Sequence, residues 1–336
     1  LEEAMIVKLA SNENPRGPSP AVRAAIAAAT EELCRYPDSN GYDLKKALST
    51  RYGVAPEQIV LGNGSNDVLE LVTQAFLLPG QRTVYSRHAF VVYPLATQAR
   101  GGIGVEVPPA ADLGHDLPAM LAAITADTRI VFIANPNNPT GTWLDPDAIA
   151  AFLQRVPPEV IVVLDEAYNE YLEPEQYAPS VAWVERHPNL IVSRTFSKAY
   201  GLAALRVGYG LMHPALADML NRVRQPFNVN SLAQAAAVAA LDDMQYVDES
   251  RDINRSGMRE IERALQAMGV AYTRSYANFL LIDVGDGARV NRRLLEQGVI
   301  VRPVANYALP RHLRVTIGLP HENARFVQAL ERALHD

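Results

Sequence analysis

The sequence predicts an α/β protein in which a large, mostly parallel sheet is joined to a smaller α+β domain. From about residue 58 to residue 212, apolar runs of strand length alternate with amphipathic stretches of helical spacing, the pattern of β-α units. After Gly269 the pattern changes to short strands separated by helices. The chain has 336 residues, 49% of them apolar, which is enough for about two packed cores.

Seven strands are expected in the large sheet, with helices between and after them. The strands are residues 58–61, 82–86, 104–107, 129–134, 160–165, 190–193 and 207–212. Helical spacing occurs at residues 65–77, 91–100, 146–155 and 214–224, and at 231–268 with breaks expected near Asp242 and Gly257. Residues 19–33 predict another helix, because Ser19 can cap it and Pro20 suits its first turn.

The smaller domain is expected to contain three strands and two helices. The strands are residues 271–273, 279–284 and 313–317, and the helices are residues 288–297 and 322–335. We assign residues 34–245 to the large domain, and residues 1–33 and 246–336 to an N-terminal arm and helix plus the small C-terminal domain.

Composition and charge argue against several classes of protein. Thirty-one Lys and Arg against 37 Asp and Glu give a net charge of −6, and the basic residues are scattered, so small-molecule partners are expected rather than nucleic acid. The single cysteine, Cys34, excludes an internal disulfide and a thiolate metal site, and no metal is expected. Apolar runs such as 160–164 are far shorter than the ~18 residues that span a bilayer, and no signal peptide is visible, so we expect a cytoplasmic protein.

The segment that follows the strand at 190–193 carries a lysine, Lys198, among hydroxyl side chains. A lysine can form a Schiff base with an aldehyde, and Thr195, Ser197 and Arg206 can together hold a dianionic phosphate. Pyridoxal phosphate requires both kinds of group. The alternative is an ordinary solvated lysine with turn hydroxyls beside it.

A carboxylate and a tyrosine follow the fully apolar strand at 160–164. Asp165 stands at the carboxyl end of this strand, where α/β sheets bind ligands. It can hydrogen-bond a cofactor's pyridine nitrogen and keep the ring protonated, while Tyr168 can reach the phenolic oxygen of the ring. A simple helix cap is the alternative role of Asp165.

Two further turns follow apolar strands. Prolines and Gly141 make the turn around Asn138 rigid, so that this amide can be aimed at one oxygen, although the segment also fits a plain turn. Residues 62–67 (GNGSND) open a helix whose first amides attract a phosphate. Because Asp67 stands where the third glycine of a dinucleotide-binding fingerprint belongs, a dehydrogenase is disfavoured.

These segments occur together in an order that resembles one family. They are SNENP at 11–15, RYP at 35–37, GNGSND at 62–67, NPTG at 138–141, DEAY at 165–168, SK at 197–198 with RVGY at 206–209, and LRVTIG at 313–318. The sequence is similar to the fold-type I pyridoxal-phosphate aminotransferases of class I/II, and most similar to the histidinol-phosphate aminotransferases among them. The resemblance covers nearly the whole chain.

The resemblance implies a role for each motif residue. Lys198 is implied to be the Schiff-base lysine and the base that moves the substrate proton, with Asp165 at the pyridine nitrogen and Asn138 and Tyr168 at the phenolic oxygen. Other cofactor-binding residues implied by the resemblance are Gly64, Ser65, Asn66, Thr195, Ser197 and Arg206, with Phe90 stacked on the ring and Tyr36 contributed by a neighbouring subunit. The role of Tyr36 implies a homodimer, and a plain core phenylalanine is the alternative for Phe90.

The family resemblance also implies substrate-binding residues. Arg314 matches the family's carboxylate-binding arginine, whose planar fork suits a bidentate anion. Arg302 is a candidate for a second positive charge, needed because a phosphate monoester carries nearly twice the charge of a carboxylate; a surface arginine is the alternative. Asn14 belongs to the arm that folds over the active site in the family.

The implied reaction is transamination between histidinol phosphate and 2-oxoglutarate, giving imidazole acetol phosphate and glutamate, in histidine biosynthesis. An aromatic amino-acid aminotransferase is the nearest alternative, because the group shares its cofactor residues and differs at the substrate rim. A phosphothreonine decarboxylase and a regulatory module that senses pyridoxal phosphate are remoter alternatives on the same fold.

Overall fold

The computed structural model of the protein describes residues 6–335. Its strands are β1 (Val7–Lys8), β2 (Ile59–Gly62), β3 (Arg82–Ser86), β4 (Ile103–Val107), β5 (Thr128–Ala134), β6 (Ile161–Asp165), β7 (Leu190–Thr195), β8 (Gly208–Met212), β9 (Ala271–Thr273), β10 (Phe279–Asp283), β11 (Val299–Ile300), β12 (Arg302–Pro303) and β13 (His312–Thr316). Its α-helices are α1 (Pro20–Ala29), α2 (Tyr42–Tyr52), α3 (Ser65–Phe76), α4 (Val92–Ala99), α5 (Leu117–Ala122), α6 (Pro146–Arg155), α7 (Ser180–Arg186), α8 (Pro214–Val223), α9 (Ser231–Asp242), α10 (Met244–Ala267), α11 (Gly287–Glu296) and α12 (Pro320–His335).

The large sheet has seven strands in the order β2-β8-β7-β6-β5-β3-β4. Strands β3 to β7 are parallel, and β8 is antiparallel to both of its neighbours. This confirms the predicted fold class, and every predicted strand of this sheet lies within two residues of an observed one. Strands β5, β6 and β7 end side by side, because Asp165 pairs in register with Ala134 on one side and with Ser193 on the other.

The small sheet is antiparallel, with the order β12-β13-β10-β9. A short parallel pair, β1 with β11, ties the N-terminal segment to this part of the molecule. Leu9 continues that segment into the small core, where it packs among Ile261, Leu280 and Phe326.

Alternate residues of the large sheet enter two separate cores. On β5, Val131 and Ile133 belong to one cluster, and Ile130 and Phe132 belong to the other. The strand is therefore buried on both faces, which explains why its sequence is continuously apolar rather than alternating.

The helical region after residue 231 breaks once. Helix α9 ends at Asp242 as predicted, but α10 runs without interruption from Met244 to Ala267, so the break predicted near Gly257 is wrong. A Cβ at Gly257 would lie 2.6 Å from Asn323 Nδ2 and 2.7 Å from Ile317 Cγ2. The glycine thus permits α10 to pack closely against the small domain, and it does not end the helix.

Helix α1 packs on the large domain. Its buried residue Val22 belongs to the same cluster as Leu44 and Ala233. We therefore propose that α1 belongs to the large domain. The sequence analysis limited that domain to residues 34–245 and so left α1 outside it. Among residues 6–335, no helix is long and apolar enough to cross a membrane.

Candidate active site

A buried carboxylate ends the central strand β6. Asp165 is 5% exposed, and its Oδ2 accepts a hydrogen bond of 2.8 Å from the hydroxyl of Tyr93. Burial raises the pKa of Asp165 to about 6, although the bonds from Tyr93 and from the Ala167 amide lower it. Because burial disfavours the ionised form of this carboxyl group, a cationic partner beside it would stabilise that form strongly.

The residue just past the end of β6 already has a charged partner. Glu166 is buried and forms an ion pair of 2.8 Å with Arg194, which is also buried. Glu166 is therefore already neutralised, while Asp165 remains available to a ligand.

Lys198 lies in the turn after β7. Its Nζ donates a hydrogen bond of 3.0 Å to the carbonyl oxygen of Ser11 and lies 5.8 Å from the centre of the Tyr168 ring. Burial, together with the positive charge of Arg314, lowers the pKa of Lys198 to about 8. The amine is therefore partly neutral near physiological pH, as a nucleophile or proton acceptor must be.

A cup lined by hydrogen-bond donors lies at the start of helix α3. The helix begins at Ser65 without a side-chain cap, so its first amides are open to a ligand. Gly64 has φ +82°, a backbone conformation that favours glycine, and a Cβ there would lie 2.5 Å from Arg206 Nη2, so the guanidinium would have to shift. Arg206 Nη1 donates to Ser197 Oγ at 3.3 Å, and Thr195 Oγ1 accepts from the Ser197 amide at 3.1 Å.

Asn138 and Tyr168 are both buried beside Asp165. The turn that carries Asn138 is braced by the neighbouring Asn137, whose Nδ2 donates to the His88 carbonyl and to Thr140 Oγ1, both at 2.7 Å. Burial raises the pKa of Tyr168 to about 12, so its phenol keeps its proton and can donate a hydrogen bond.

Arg314 brings strand β13 of the small sheet to the same site. Its Nη1 donates to Asn138 Oδ1 at 2.5 Å and its Nη2 to the Ala10 carbonyl at 2.7 Å, while its buried Nε has no partner among the described residues. Arg302 is exposed and lies opposite Arg314 in the register of β12 and β13. Burial, and to a smaller extent the charge of Arg302, lowers the pKa of Arg314.

Residues 9–17 form a segment, here called the strap, that closes one side of the site. The strap contributes the carbonyls of Ser11 and Ala10 to the site. It also contributes the Asn12 side chain, whose Nδ2 donates a hydrogen bond of 2.9 Å to the Tyr168 hydroxyl. Asn12 is held in turn by its amide, which donates to Thr316 Oγ1 at 2.9 Å.

The residues predicted for the cofactor mostly line one cavity of about 150 Å³. Those lining it are Ser65, Asn66, Phe90, Asn138, Asp165, Tyr168, Thr195, Ser197, Lys198 and Arg206, and Gly64 adjoins it. Tyr93 also lines the cavity but was missed by the sequence analysis; its ring meets Phe90 edge-on at 5.9 Å. Its position three residues after Phe90 was the only signal in the sequence.

Besides Arg302 and Arg314, which do not themselves line the cavity, two predicted residues lie elsewhere. The amide of Asn14 donates to the Ala199 carbonyl at 2.8 Å and to Ser250 Oγ at 3.0 Å, so in this structure it anchors the strap and does not face the cavity. Tyr36 is 83% exposed and stacks on Phe227 with ring centres 4.7 Å apart.

The cavity combines an open helix N-terminus and an arginine at one end with a buried carboxylate beside an aromatic ring, and it adds a lysine of lowered pKa. This donor set fits a phosphorylated, positively charged heterocycle that bears an aldehyde, and it defines the class of pyridoxal-phosphate enzymes. The chain belongs to the family "Aminotransferase class I and II", whose model matches residues 4–330.

Individual relatives are similar over nearly their whole length. Histidinol-phosphate aminotransferase 2 of Ralstonia nicotianae is 60% identical, with 99% of this chain and 90% of the relative covered. Histidinol-phosphate aminotransferase 1 of Cupriavidus pinatubonensis is 61% identical over the same shares. The crystal structure of histidinol-phosphate aminotransferase from Sinorhizobium meliloti in complex with pyridoxal-5'-phosphate superimposes with a TM-score of 0.93 at 32% identity, covering 98% of this chain and 91% of that one.

Proposed function

We propose that this protein is a pyridoxal-phosphate-dependent aminotransferase that transfers the amino group of histidinol phosphate to 2-oxoglutarate, giving imidazole acetol phosphate and glutamate for histidine biosynthesis. One observation carries the proposal: Lys198 and Asp165 line a single cavity beside Arg206, and Arg314 contacts Asn138 at its rim. The names of the relatives, at 60% and 61% identity, supply the substrate.

The cup at α3 would hold the cofactor phosphate. Arg206 supplies the charge, Ser65 and Asn66 supply helix amides, and Thr195 and Ser197 supply hydroxyls. At the other end Asp165 would pair with the ring nitrogen, with Phe90 against the ring. When bound, the cofactor supplies an aldehyde for Lys198 and a cationic heterocycle that withdraws electrons from the substrate.

The chain itself moves the proton. With a pKa of about 8, Lys198 Nζ can accept the proton from the amine-bearing carbon of the substrate and later return it. Asp165 is mostly ionised above pH 6, and its negative charge would stabilise the positive charge of the ring nitrogen. The Tyr168 hydroxyl and the Asn138 amide provide fixed hydrogen bonds on the same side of the cavity. The strap covers Lys198 and keeps bulk water away from its amine.

The substrate's anionic end is proposed to lie at Arg314. A free Nε and a second arginine in register suit a phosphate, which carries close to two negative charges at neutral pH. Two like charges placed opposite each other on antiparallel strands repel each other when no anion lies between them. Glutamate and 2-oxoglutarate would place a carboxylate at Arg314 in the other half of the reaction.

We also propose that the protein works as a cytoplasmic homodimer. Large apolar side chains are exposed around the exposed Tyr36: Leu33 and Tyr42 lie near it in the sequence, and Phe227 stacks on its ring. An association that covers them would remove apolar surface from water. It would also let Tyr36 of the partner subunit reach the cofactor phosphate.

The test is a comparison of kcat/KM for histidinol phosphate with that for phenylalanine, using 2-oxoglutarate as acceptor. We expect histidinol phosphate to be preferred and glutamate to form in equal amount to imidazole acetol phosphate. A preference for phenylalanine would establish an aromatic aminotransferase instead, and release of carbon dioxide without glutamate would establish a decarboxylase.

A variant separates phosphate recognition from carboxylate recognition. Arg302→Gln is expected to lower kcat/KM for histidinol phosphate about tenfold, since a charged hydrogen bond is worth about 1.5 kcal/mol, and to change that for glutamate about twofold or less. Arg292→Gln, at another exposed arginine, is the matched control. Equal losses for both donors would contradict the role of Arg302.

A further inference from the structure

The strap is fastened to helix α10 by one arginine. Arg16 Nη1 donates to the Tyr246 carbonyl at 3.0 Å and to Ser250 Oγ at 3.1 Å, and its Nη2 forms an ion pair of 2.7 Å with Glu249. The guanidinium also lies 3.9 Å from the centre of the Tyr246 ring, a stacking arrangement that attracts the cation to the ring face.

The same part of α10 holds the strap at two more points. The Tyr246 hydroxyl donates to the Gly17 carbonyl at 2.6 Å. Ser250 Oγ, which receives the Arg16 bond, also receives the bond from Asn14 and donates to the Tyr246 carbonyl at 2.8 Å. Arg16 therefore joins a connected set of hydrogen bonds and is more than an isolated surface charge.

The opposite side of the strap forms the wall of the active site. There the Ser11 carbonyl contacts Lys198 and the Ala10 carbonyl contacts Arg314. The side-chain amide of Asn12 contacts Tyr168. Arg16 lies outside this cavity. Its influence on the site must therefore pass through the strap.

We propose that Arg16 is a positioning residue for the aminotransferase reaction. It fixes the strap to α10 and so keeps the strap closed over Lys198 and Arg314. This inference rests on the proposed function for the identity of the site. The exposed ion pair with Glu249 contributes little; the contacts with Tyr246 and Ser250 carry the effect. Loss of Arg16 raises the population of open strap, and the apparent affinity for substrate falls with the closed fraction.

The first measurement needs no turnover. Hydrogen exchange of a peptide covering the strap is followed in cofactor-loaded enzyme without substrate, for wild type, Arg16→Met and Arg16→Lys. We expect about tenfold faster exchange in Arg16→Met, intermediate exchange in Arg16→Lys, which keeps the charge but not the fork, and unchanged exchange in β6. The matched control is Arg23→Met, which removes an exposed bond of 3.2 Å to the Pro18 carbonyl.

The second measurement separates positioning from a general structural effect. In Arg16→Met the KM for the amino donor should rise about threefold or more while kcat stays within about twofold, because the strap acts on binding before the chemical step. Unchanged exchange in the strap, or faster exchange with an unchanged KM, would overturn the proposal. Should histidinol phosphate not be a substrate at all, the proposed function fails, while the exchange result still decides the role of Arg16.

Discussion

The buried carboxylate at the end of β6 makes a measurable prediction for the cofactor-free protein. The folded-state pKa of Asp165 is about 6, raised from 3.8 chiefly by burial. A raised pKa means that the group favours folding below pH 3.8 and that this contribution is lost as the pH rises through 6. A shift of roughly two units corresponds to about 3 kcal/mol, and the side chain is only 5% exposed, so little is lost to solvent screening.

Asp165→Asn removes the charge and keeps an oxygen that can accept the Tyr93 hydrogen bond. We expect the cofactor-free variant to be more stable than cofactor-free wild type by up to about 3 kcal/mol at pH 7.5, with the difference vanishing near pH 4. Urea unfolding at several pH values and one fixed protein concentration measures it. Asp127→Asn, at an exposed carboxylate, is the control and should change stability by less than about 0.5 kcal/mol.

The same variant is expected to lose cofactor affinity, because it lacks the carboxylate that we propose pairs with the ring nitrogen. If the variant is more stable than wild type without cofactor and also binds the cofactor more weakly, then the Asp165 carboxylate destabilises the cofactor-free protein and contributes to cofactor binding. The raised pKa of Asp165 would be refuted if the stability difference did not depend on pH, or if the variant were less stable than wild type at pH 7.5.

Three further predictions concern the cofactor and the substrate. Lys198→Ala should reduce transamination by about 10⁴-fold and remove the absorption of the protein-linked cofactor, with circular dichroism unchanged; retained turnover would rule out Lys198 as the base. The rate at which cofactor-free enzyme takes up the aldehyde should rise with pH and level off above about 8, where Lys198 is neutral; a flat stopped-flow profile would contradict this. Gly64→Ala should weaken cofactor binding about tenfold or more in equilibrium dialysis, because a Cβ would meet Arg206 at a positive φ; unaltered affinity would place the phosphate elsewhere.

The positions of Asp165, Asn138 and Lys198 could be predicted because Asp165 ends and Asn138 follows a strand with an unbroken apolar run, and Lys198 comes shortly after the apolar start of β7. Parallel strands end at one edge, so polar residues after them meet there whatever the detailed packing. Gly257 shows the limit of such reasoning. Its sequence context suggests a helix break, and only the approach of Asn323 from a distant helix shows why the glycine is needed.

The contacts made by the strap lay beyond sequence reasoning for a different reason. Backbone carbonyls such as those of Ser11 and Ala10 exist at every residue and leave no mark in the sequence. Asn14 was assigned to the substrate from the sequence, and in this structure its side-chain amide donates to Ser250, more than 200 positions away, a contact that no sequence pattern shows. Tyr93 required knowledge of how α4 lies over the sheet.

The bond between Ala10 and Arg314 joins positions 304 residues apart. During synthesis on a ribosome, the strands of the large sheet, up to Met212, emerge well before β13. A chain that ends before β13 lacks both Arg314 and the Thr316 hydroxyl that holds Asn12, so the strap cannot be fixed over Lys198 until the last strand has been made.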